Sequence, residues 1–481
     1  MLMWFRADLR LQDNPALYAA AQQGRVLPVF VYPQASNTGA SALSYAGAAG
    51  QVWLHHSLGA LRQDLQGTLQ VYGGDAAEIL PALCRKYALA AVYYNRSFTP
   101  TGLEEERGVQ QALLHLRISP HPYNANYLWE PEQVTKKDGS AYRVFTPFYR
   151  NALEHAELPR HPLPAPDYLE LQQLEKTPAT GEDITAPAQL NLLPHLSWGD
   201  KIAQHWEMGE DAAHARLQEF IHSALPDYSF ARDYPARAGV SRLSMALVWG
   251  EVSPHQLWYA VARTPHTQPG ANAQGFQFRR QLGWREFSCT QLYNNPDMRW
   301  RNLQPKFDKF PWRDDPVALQ RWQRGETGYP IVDAGMRELW ETGYMHNRVR
   351  MLVGSFLVKN LLLHWHHGEA WFRACLFDAD YANNCAGWQW VGGCGADAAP
   401  YFRIFNPITQ AQKFDPHAEY VRRFIPSLRR LPDMYIFEPW KAPPKVLRQA
   451  GVALGRDYPR PIVDLKATRQ RALEAYAQIK G

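Results

Sequence analysis

The sequence predicts an N-terminal doubly wound α/β domain followed by a larger all-α domain, and three observations predict it. Short apolar runs alternate with helical stretches through the first 130 residues. After Trp206 the pattern becomes almost wholly helical. Between the two, residues 133–204 are irregular, Pro-rich and acidic. Alternating strand and helix signals argue a parallel sheet wound on both faces. The expected organisation is 1–132 α/β, 133–204 connecting segment and 205–481 helical.

Within the first part, VLPVFVYP, TLQVYGG and LAAVYYN have the composition of buried strands. The stretches NPALYAAAQQG, VWLHHSLGALRQDLQG, AAEILPALCRKYA and LEEERGVQQALLHL carry the 3.6-residue apolar period of helices. No GxGxxG follows the first strand, so a dinucleotide-type phosphate loop is not supported there. In the second part, EDAAHARLQEFIHSAL, SMALVWGEVSPHQLWYAVA and NRVRMLVGSFLVKNLLLHWH read as helices.

At 481 residues and 20% charged residues, the chain has ample length for two or three cored domains. No run of about 18 apolar residues predicts a transmembrane helix, and the N-terminus lacks a signal-peptide apolar core. The five cysteines lack CxxC spacing and read as reduced thiols, which places the protein in the cytoplasm and argues against a zinc site. No metal site is expected. Residues 1–200 hold 15 Lys and Arg against 19 Asp and Glu, and the remainder 36 against 27. A net −4 part joined to a net +9 part suggests a polyanionic partner for the second, although a solvated surface explains the charge alone equally well. Thirteen of the 17 tryptophans also fall after residue 200.

Four constellations carry chemistry. VSRLS (240–244) puts hydroxyls and Arg242 ahead of a helix, an arrangement that suits an anion, although a serine there is most often only a cap. On the helix starting near Asn347, residues Asn347, Arg350, Met351 and Gly354 share one face, and Arg348 points about 100° away. An incidental arginine on an amphipathic helix would look the same. Asp378 and Asp380 cannot both be buried without donors or a cation. The segment FDADYANNCAGWQWVGGCGADAAPYFRIFNP (377–407) combines acids, amides, tryptophans and small residues, a mixture suited to a planar redox cofactor rather than to an ordinary core.

GWQW…GADAAPYFRIFNP, together with MHNRVRM and RRQLGWREF, resembles the DNA photolyase/cryptochrome family over nearly the whole chain. It is most like a class I-type cyclobutane pyrimidine dimer (deoxyribodipyrimidine) photolyase. The resemblance implies the photolyase/cryptochrome architecture and FAD, active as reduced FADH⁻. It also implies a place for an antenna chromophore, methenyltetrahydrofolate or 8-hydroxy-deazaflavin, between which no residue chooses. FAD contacts are implied at Tyr228, Val240, Ser241, Arg242, Leu243, Ser244, Gln281, Arg285, Asn347, Arg350, Asp378, Asp380 and Asn384. Within that set Arg285 reaches a flavin phosphate, Asp378 pairs with Arg350, and Asn384 faces flavin N5. Val240 stands where the family commonly has Thr, so one phosphate-facing hydroxyl is missing.

The same resemblance makes Trp388, Trp365 and Trp312 an electron-hopping chain. It assigns Gln281, Trp284, Asn347, Met351 and Asn384 to repair, with Trp284 stacking on the lesion. It assigns Arg232, Trp284, Arg348, Arg403 and Gln410, with Lys413 as a looser candidate, to UV-damaged DNA carrying a flipped pyrimidine dimer. The expected state is a monomer. Asn384 favours a repair enzyme, because plant-type cryptochromes tend to have Asp there and none of their long polar C-terminal tail is expected here. Gln281 replaces the usual Glu and is commoner in (6-4) photolyases, yet the histidine pair of that chemistry is replaced by Asn347 and Met351. Tyr344 stands where a Trp is common near the flavin. The expected function is therefore light-driven dimer repair, with a photosensor or a (6-4) photolyase as alternatives.

Overall fold

The computed structural model describes residues 1–33, 45–172, 190–194, 197–262 and 271–480. Contacts divide the chain into two compact units. The first comprises Met1–Pro226, Ser241–Pro296 and Phe377–Ala382; the second comprises Asp227–Val240, Asp297–Leu376 and Asn383–Gly481. These units do not follow boundaries at 132 and 204, because residues 241–296 and 377–382 pack with the N-terminal sheet unit.

In the first unit a five-stranded sheet is built from β1 (Leu2–Phe5), β2 (Leu27–Tyr32), β3 (Gln70–Gly73), β4 (Ala91–Asn95) and β5 (Ser119–Tyr123). The order is β3-β2-β1-β4-β5 with every pairing parallel. Helices α1 (Pro15–Ala21), α2 (Ala48–Asp64), α3 (Ala76–Lys86) and α4 (Pro100–His115) alternate with the strands. Every residue of β1 and β4 is buried, as strands covered on both faces must be. Side chains start three of these helices: Asn14, Asp75 and Thr99 each accept a backbone N–H of the first turn. Strand order reverses between β1 and β4, so their carboxyl ends open onto the switch point of the sheet.

β1 and β5 carry no strand signal in the sequence reading. β1 is only four residues long, and β5 is SPHPY, two prolines on an edge strand where a missing N–H costs no ladder bond. Residues 133–204 are not wholly irregular either. They contain α5 (Phe145–Glu154) and α6 (Trp198–Ala203), while 173–189 and 195–196 lie outside the described residues. α5 escapes notice because its apolar face, Phe145, Phe148, Tyr149 and Ala152, is interrupted by Pro147. The first unit continues with α7 (Glu210–Glu219), α9 (Ser244–Trp249), α10 (Pro254–Ala262) and α11 (Ala271–Asn294).

In the second unit, after the short α8 (Tyr228–Ala231), lie α12 (Pro316–Gln323), α13 (Pro330–Thr342), α14 (Asn347–Ser355), α15 (Trp365–Cys375), most of α16 (Tyr381–Gly392) and α17 (Pro407–Phe414). The stretch NRVRMLVGSFLVKNLLLHWH is not one helix. It widens into a π-helical turn over Phe356–Asn360, breaks at Leu362 with φ +56°, and restarts where the His364 side chain caps α15. Its continuous apolar run hides the break, because burial of a chain reversal reads like burial of a helix.

Glu210 links α7 to the segment after β1, its two oxygens accepting the N–H groups of Leu11 at 2.6 Å and Gln12 at 2.9 Å. Burial pushes its carboxyl up to about 7 from an ordinary 4.5. Such a group favours the folded chain fully below its unfolded value, and that contribution is lost as pH rises through about 7. E210Q stays neutral throughout, so it should gain on the wild type by about 2 kcal/mol between acidic and mildly alkaline pH. Urea unfolding of both proteins at about pH 5 and about pH 8 measures the difference; a pH-independent gap refutes it.

Candidate functional site

Of the residues expected to hold a cofactor, Ser241, Arg242, Leu243, Ser244, Gln281, Arg285, Asp378 and Asp380 belong to the first unit. Tyr228, Val240, Asn347, Arg350 and Asn384 belong to the second.

In the first unit the fold brings Ser244 and Asp378 together across 134 residues of chain, with Ser244 Oγ donating to Asp378 Oδ2 at 2.6 Å. Trp249 Nε1 donates to the Phe377 carbonyl at 3.3 Å, and Phe377 packs edge-on to Trp53 at 5.0 Å. α9 therefore seats the DAD segment, whose next link is Asp380 N–H to the Asp378 carbonyl at 2.7 Å. Arg242, exposed at the head of α9, has φ +51°, a strained conformation for a residue with a Cβ. Ser241 Oγ accepts the Leu243 N–H at 3.4 Å.

Arg285 and Asp380 line one cavity with Arg6, Asn95, Ser97 and Tyr381, at the carboxyl ends of β1 and β4. Arg285 donates to the Asn126 carbonyl at 2.6 Å and lies 3.2 Å from Glu286 Oε1, with its guanidinium 4.5 Å over Tyr127. Burial pushes the Glu286 carboxyl up to about 7, against the pull of Arg285. Trp284 stacks on Phe145 of α5 at 3.8 Å and 9°. Gln281 Nε2 donates back to the Gln277 carbonyl at 3.2 Å.

In the second unit Asn384 is buried, and its Nδ2 donates to the Glu369 carbonyl at 3.1 Å and to Glu369 Oε1 at 3.4 Å. This fixes which edge of the amide is the acceptor, because Glu369 has already taken the donor edge. Glu369 is itself buried between Arg299 at 3.8 Å and Arg373 at 3.5 Å. On α14, Arg350 Nε donates to the Met345 carbonyl at 2.7 Å. Arg348 pairs with Asp233 at 2.6 Å and covers Phe414 at 4.4 Å. Asn347 is exposed and Met351 half-buried. His346, beside them, caps α14 by accepting the Arg348 N–H. Gly354 lets a ring approach: its Cβ position is 3.6 Å from Trp388. Arg232 lies 5.3 Å over Tyr228. Arg403 is exposed, and its carbonyl accepts Lys359 Nζ at 2.8 Å. Gln410 lies on α17, half-buried.

Trp388 and Trp365 are buried and Trp312 is half-buried. His364 stands between the last two, 5.6 Å from the Trp365 ring and 5.0 Å from Trp312. Gly368, one turn after Trp365 on α15, lies directly under the Trp388 indole: a Cβ there would come within 2.1 Å of the ring.

Residues 278–478 match the family described as FAD binding domain of DNA photolyase, and residues 1–167 match the family described as DNA photolyase. The chain belongs to the DNA photolyase/cryptochrome family. A deoxyribodipyrimidine photo-lyase of Agrobacterium fabrum is 43% identical to this chain over 485 residues, 100% of this chain and 98% of that protein. Cryptochrome-1 of Arabidopsis thaliana is 34% identical over 99% of this chain and 70% of its own length. The crystal structure of a bacterial class III photolyase from Agrobacterium tumefaciens superposes with a TM-score of 0.91 at 42% identity, covering 100% of this chain and 97% of that one. Photolyase membership confirms the α/β-plus-helical architecture and FAD as the cofactor. Among the described residues no cluster of His, Cys, Asp or Glu could hold a metal ion, and no helix is long and apolar enough to cross a membrane.

The residues present fit a flavin's polar edge. In the first unit Asp378 and Asp380 supply acceptors and serine hydroxyls stand before α9; in the second the buried Asn384 amide is held in one orientation. Sequence reading missed Glu369, Gly368 and Phe145. Gly368 left a weak signal as the glycine of HHGEAWF between aromatic residues, whereas Glu369 and Phe145 gave none, because both act on residues distant in sequence. G368A should displace the Trp388 indole, lower stability by about 1–3 kcal/mol and change the near-UV circular dichroism. An unaltered spectrum and Tm would refute this packing.

Proposed function

We propose that this photolyase-family chain repairs UV-induced cyclobutane pyrimidine dimers in DNA by light-driven electron transfer. The Asn384 amide carries the reading. Its Nδ2 donates to Glu369, and a neutral amide supplies no proton. A neutral amide suits an anionic reduced flavin. The bound flavin, when reduced and excited by light, supplies the electron that opens the dimer.

The protein's part is positioning and desolvation. Asp378, held by Ser244, and Asp380 orient the polar edge of the cofactor, with Tyr228, residues 240–244, Arg285, Asn347 and Arg350 completing the grip. Trp284, backed by Phe145, offers its other face to the lesion, and Gln281 and Met351 serve in its recognition. Arg232, Arg348, Arg403 and Gln410 grip phosphates around the flipped dimer, and the excess of basic residues after position 200 draws the DNA in. Trp388, Trp365 and Trp312 carry electrons inward when the flavin is oxidised. The protein acts as a monomer.

Asn347 and Met351 support dimer repair over (6-4) chemistry, since neither can act as that reaction's acid or base. Likeness to a class III photolyase at 42% identity supports that class rather than class I. A sensor without repair activity is the second reading, favoured by the likeness to Cryptochrome-1. Illumination of photoreduced protein with dimer-containing oligothymidylate separates the two. Loss of dimers is expected, and their persistence with the flavin fully reduced would overturn the proposal. W388F should block photoreduction of oxidised flavin at least tenfold, yet leave repair by chemically pre-reduced protein near the wild-type rate.

A further inference from the structure

The structure treats the indole N–H groups of the three tryptophans differently. Among the described residues, Nε1 of Trp388 and of Trp312 is buried with no hydrogen-bond partner. Nε1 of the fully buried Trp365 donates to Asn302 Oδ1 at 2.9 Å. The Asn302 amide nitrogen in turn donates to Asp308 Oδ1 at 2.7 Å, and Asp308 is exposed to solvent. A hydrogen-bonded line thus runs from a buried indole through a neutral amide to a surface carboxylate.

We propose that Asn302 and Asp308 are positioning residues that draw the electron vacancy from Trp388 onto Trp365 and hold it there during photoreduction. The inference rests on the reading of the three tryptophans as an electron-transfer chain. One electron passes from Trp365 to the oxidised Trp388, which restores Trp388 and leaves Trp365 as a cation radical; no bond forms or breaks. An added thiol finally supplies the replacement electron. An indole that has lost an electron becomes a far stronger N–H donor, so an acceptor polarised by a carboxylate stabilises the cation more than the neutral ring. Trp388, whose Nε1 meets no acceptor among the described residues, gains nothing comparable, and the step runs downhill. The Asn302 oxygen is too weak a base to take the proton, which therefore stays on Nε1.

His364 does not oppose the charge. Its Nδ1 accepts the His366 N–H at 3.1 Å, and burial, helped by the neighbouring His366, pushes its imidazole down to about 4. The ring beside Trp365 is thus neutral.

The test uses the full-length FAD-loaded protein. D308N keeps the geometry and removes the charge, N302L removes the acceptor, and W365F and W312F report on the chain itself. D308N should lower the yield of flavin photoreduction about twofold at low ionic strength, and raising the salt to about 1 M should bring the wild type down to meet it, because an exposed carboxylate is screened. D308E should restore most of the yield. N302L should cost about tenfold and shorten the life of the Trp365 radical in transient absorption. A readout that needs no light is the Trp365 indole ¹⁵N–¹H resonance, which should shift in D308N and more in N302L. Repair by pre-reduced protein should not change in D308N. Wild-type yields in D308N and N302L, with W365F still blocked, would overturn the relay and leave the chain standing. Normal photoreduction in W365F would overturn the chain itself. Should N302L fold poorly, the salt dependence and the resonance shift in D308N, a surface change, still decide the matter.

Discussion

A buried guanidinium organises the sheet unit. Arg10 has no solvent exposure, and a charge so placed must find acceptors on every side. It finds the carbonyls of Asp13 at 2.8 Å, Ala125 at 3.0 Å and Gly250 at 2.8 Å, with Asn126 Oδ1 at 3.0 Å. The turn after β1, the segment after β5 and the end of α9 are thereby tied to one group. Gly250 completes the join: its φ is +69° and a Cβ would lie 2.2 Å from the Ala7 carbonyl, so only glycine closes α9 there. With its end fixed, α9 presents Ser244 to Asp378 and Trp249 to Phe377. The serine–aspartate contact is a downstream consequence of where Arg10 is buried.

A second constraint acts in the helical unit. The reversal at Leu362 separates α14 from α15, and the Leu362 carbonyl accepts the Arg313 N–H at 2.8 Å. That bond anchors the segment carrying Trp312 beside His364 and the start of α15, where Trp365 sits. Gly368 then leaves room for the Trp388 indole against the same helix. Trp312 comes beside His364, Trp365 starts the next helix and Trp388 lies against that helix through one backbone break, one cap and one missing side chain.

These devices explain what the sequence shows and what it hides. Helices α1 to α4 and strands β2 to β4 are legible because burial on one face or two imposes a period on the residues. β5 is illegible because an edge strand with two prolines needs no such period, and α5 because Pro147 interrupts it. Asp378, Asp380 and Asn384, which we propose for the flavin edge, stand in a compact motif that signals itself. Glu369, Phe145 and Asn302 do not, since each acts through a partner 15 to 139 residues away, and Asp308 acts only through Asn302; each has an ordinary neighbourhood in sequence.

The sequence by itself determined the family, the order of sheet and helices, and the flavin. Local periodicity and contiguous motifs are properties of neighbouring residues, and neighbours are what a sequence records. Only the tertiary structure decided which edge of the Asn384 amide is an acceptor, that Trp284 is backed by a second ring, and that one tryptophan of three has a partner for its N–H among the described residues. Those are facts about hydrogen-bond direction and ring contact, which follow from distances no spacing in sequence encodes.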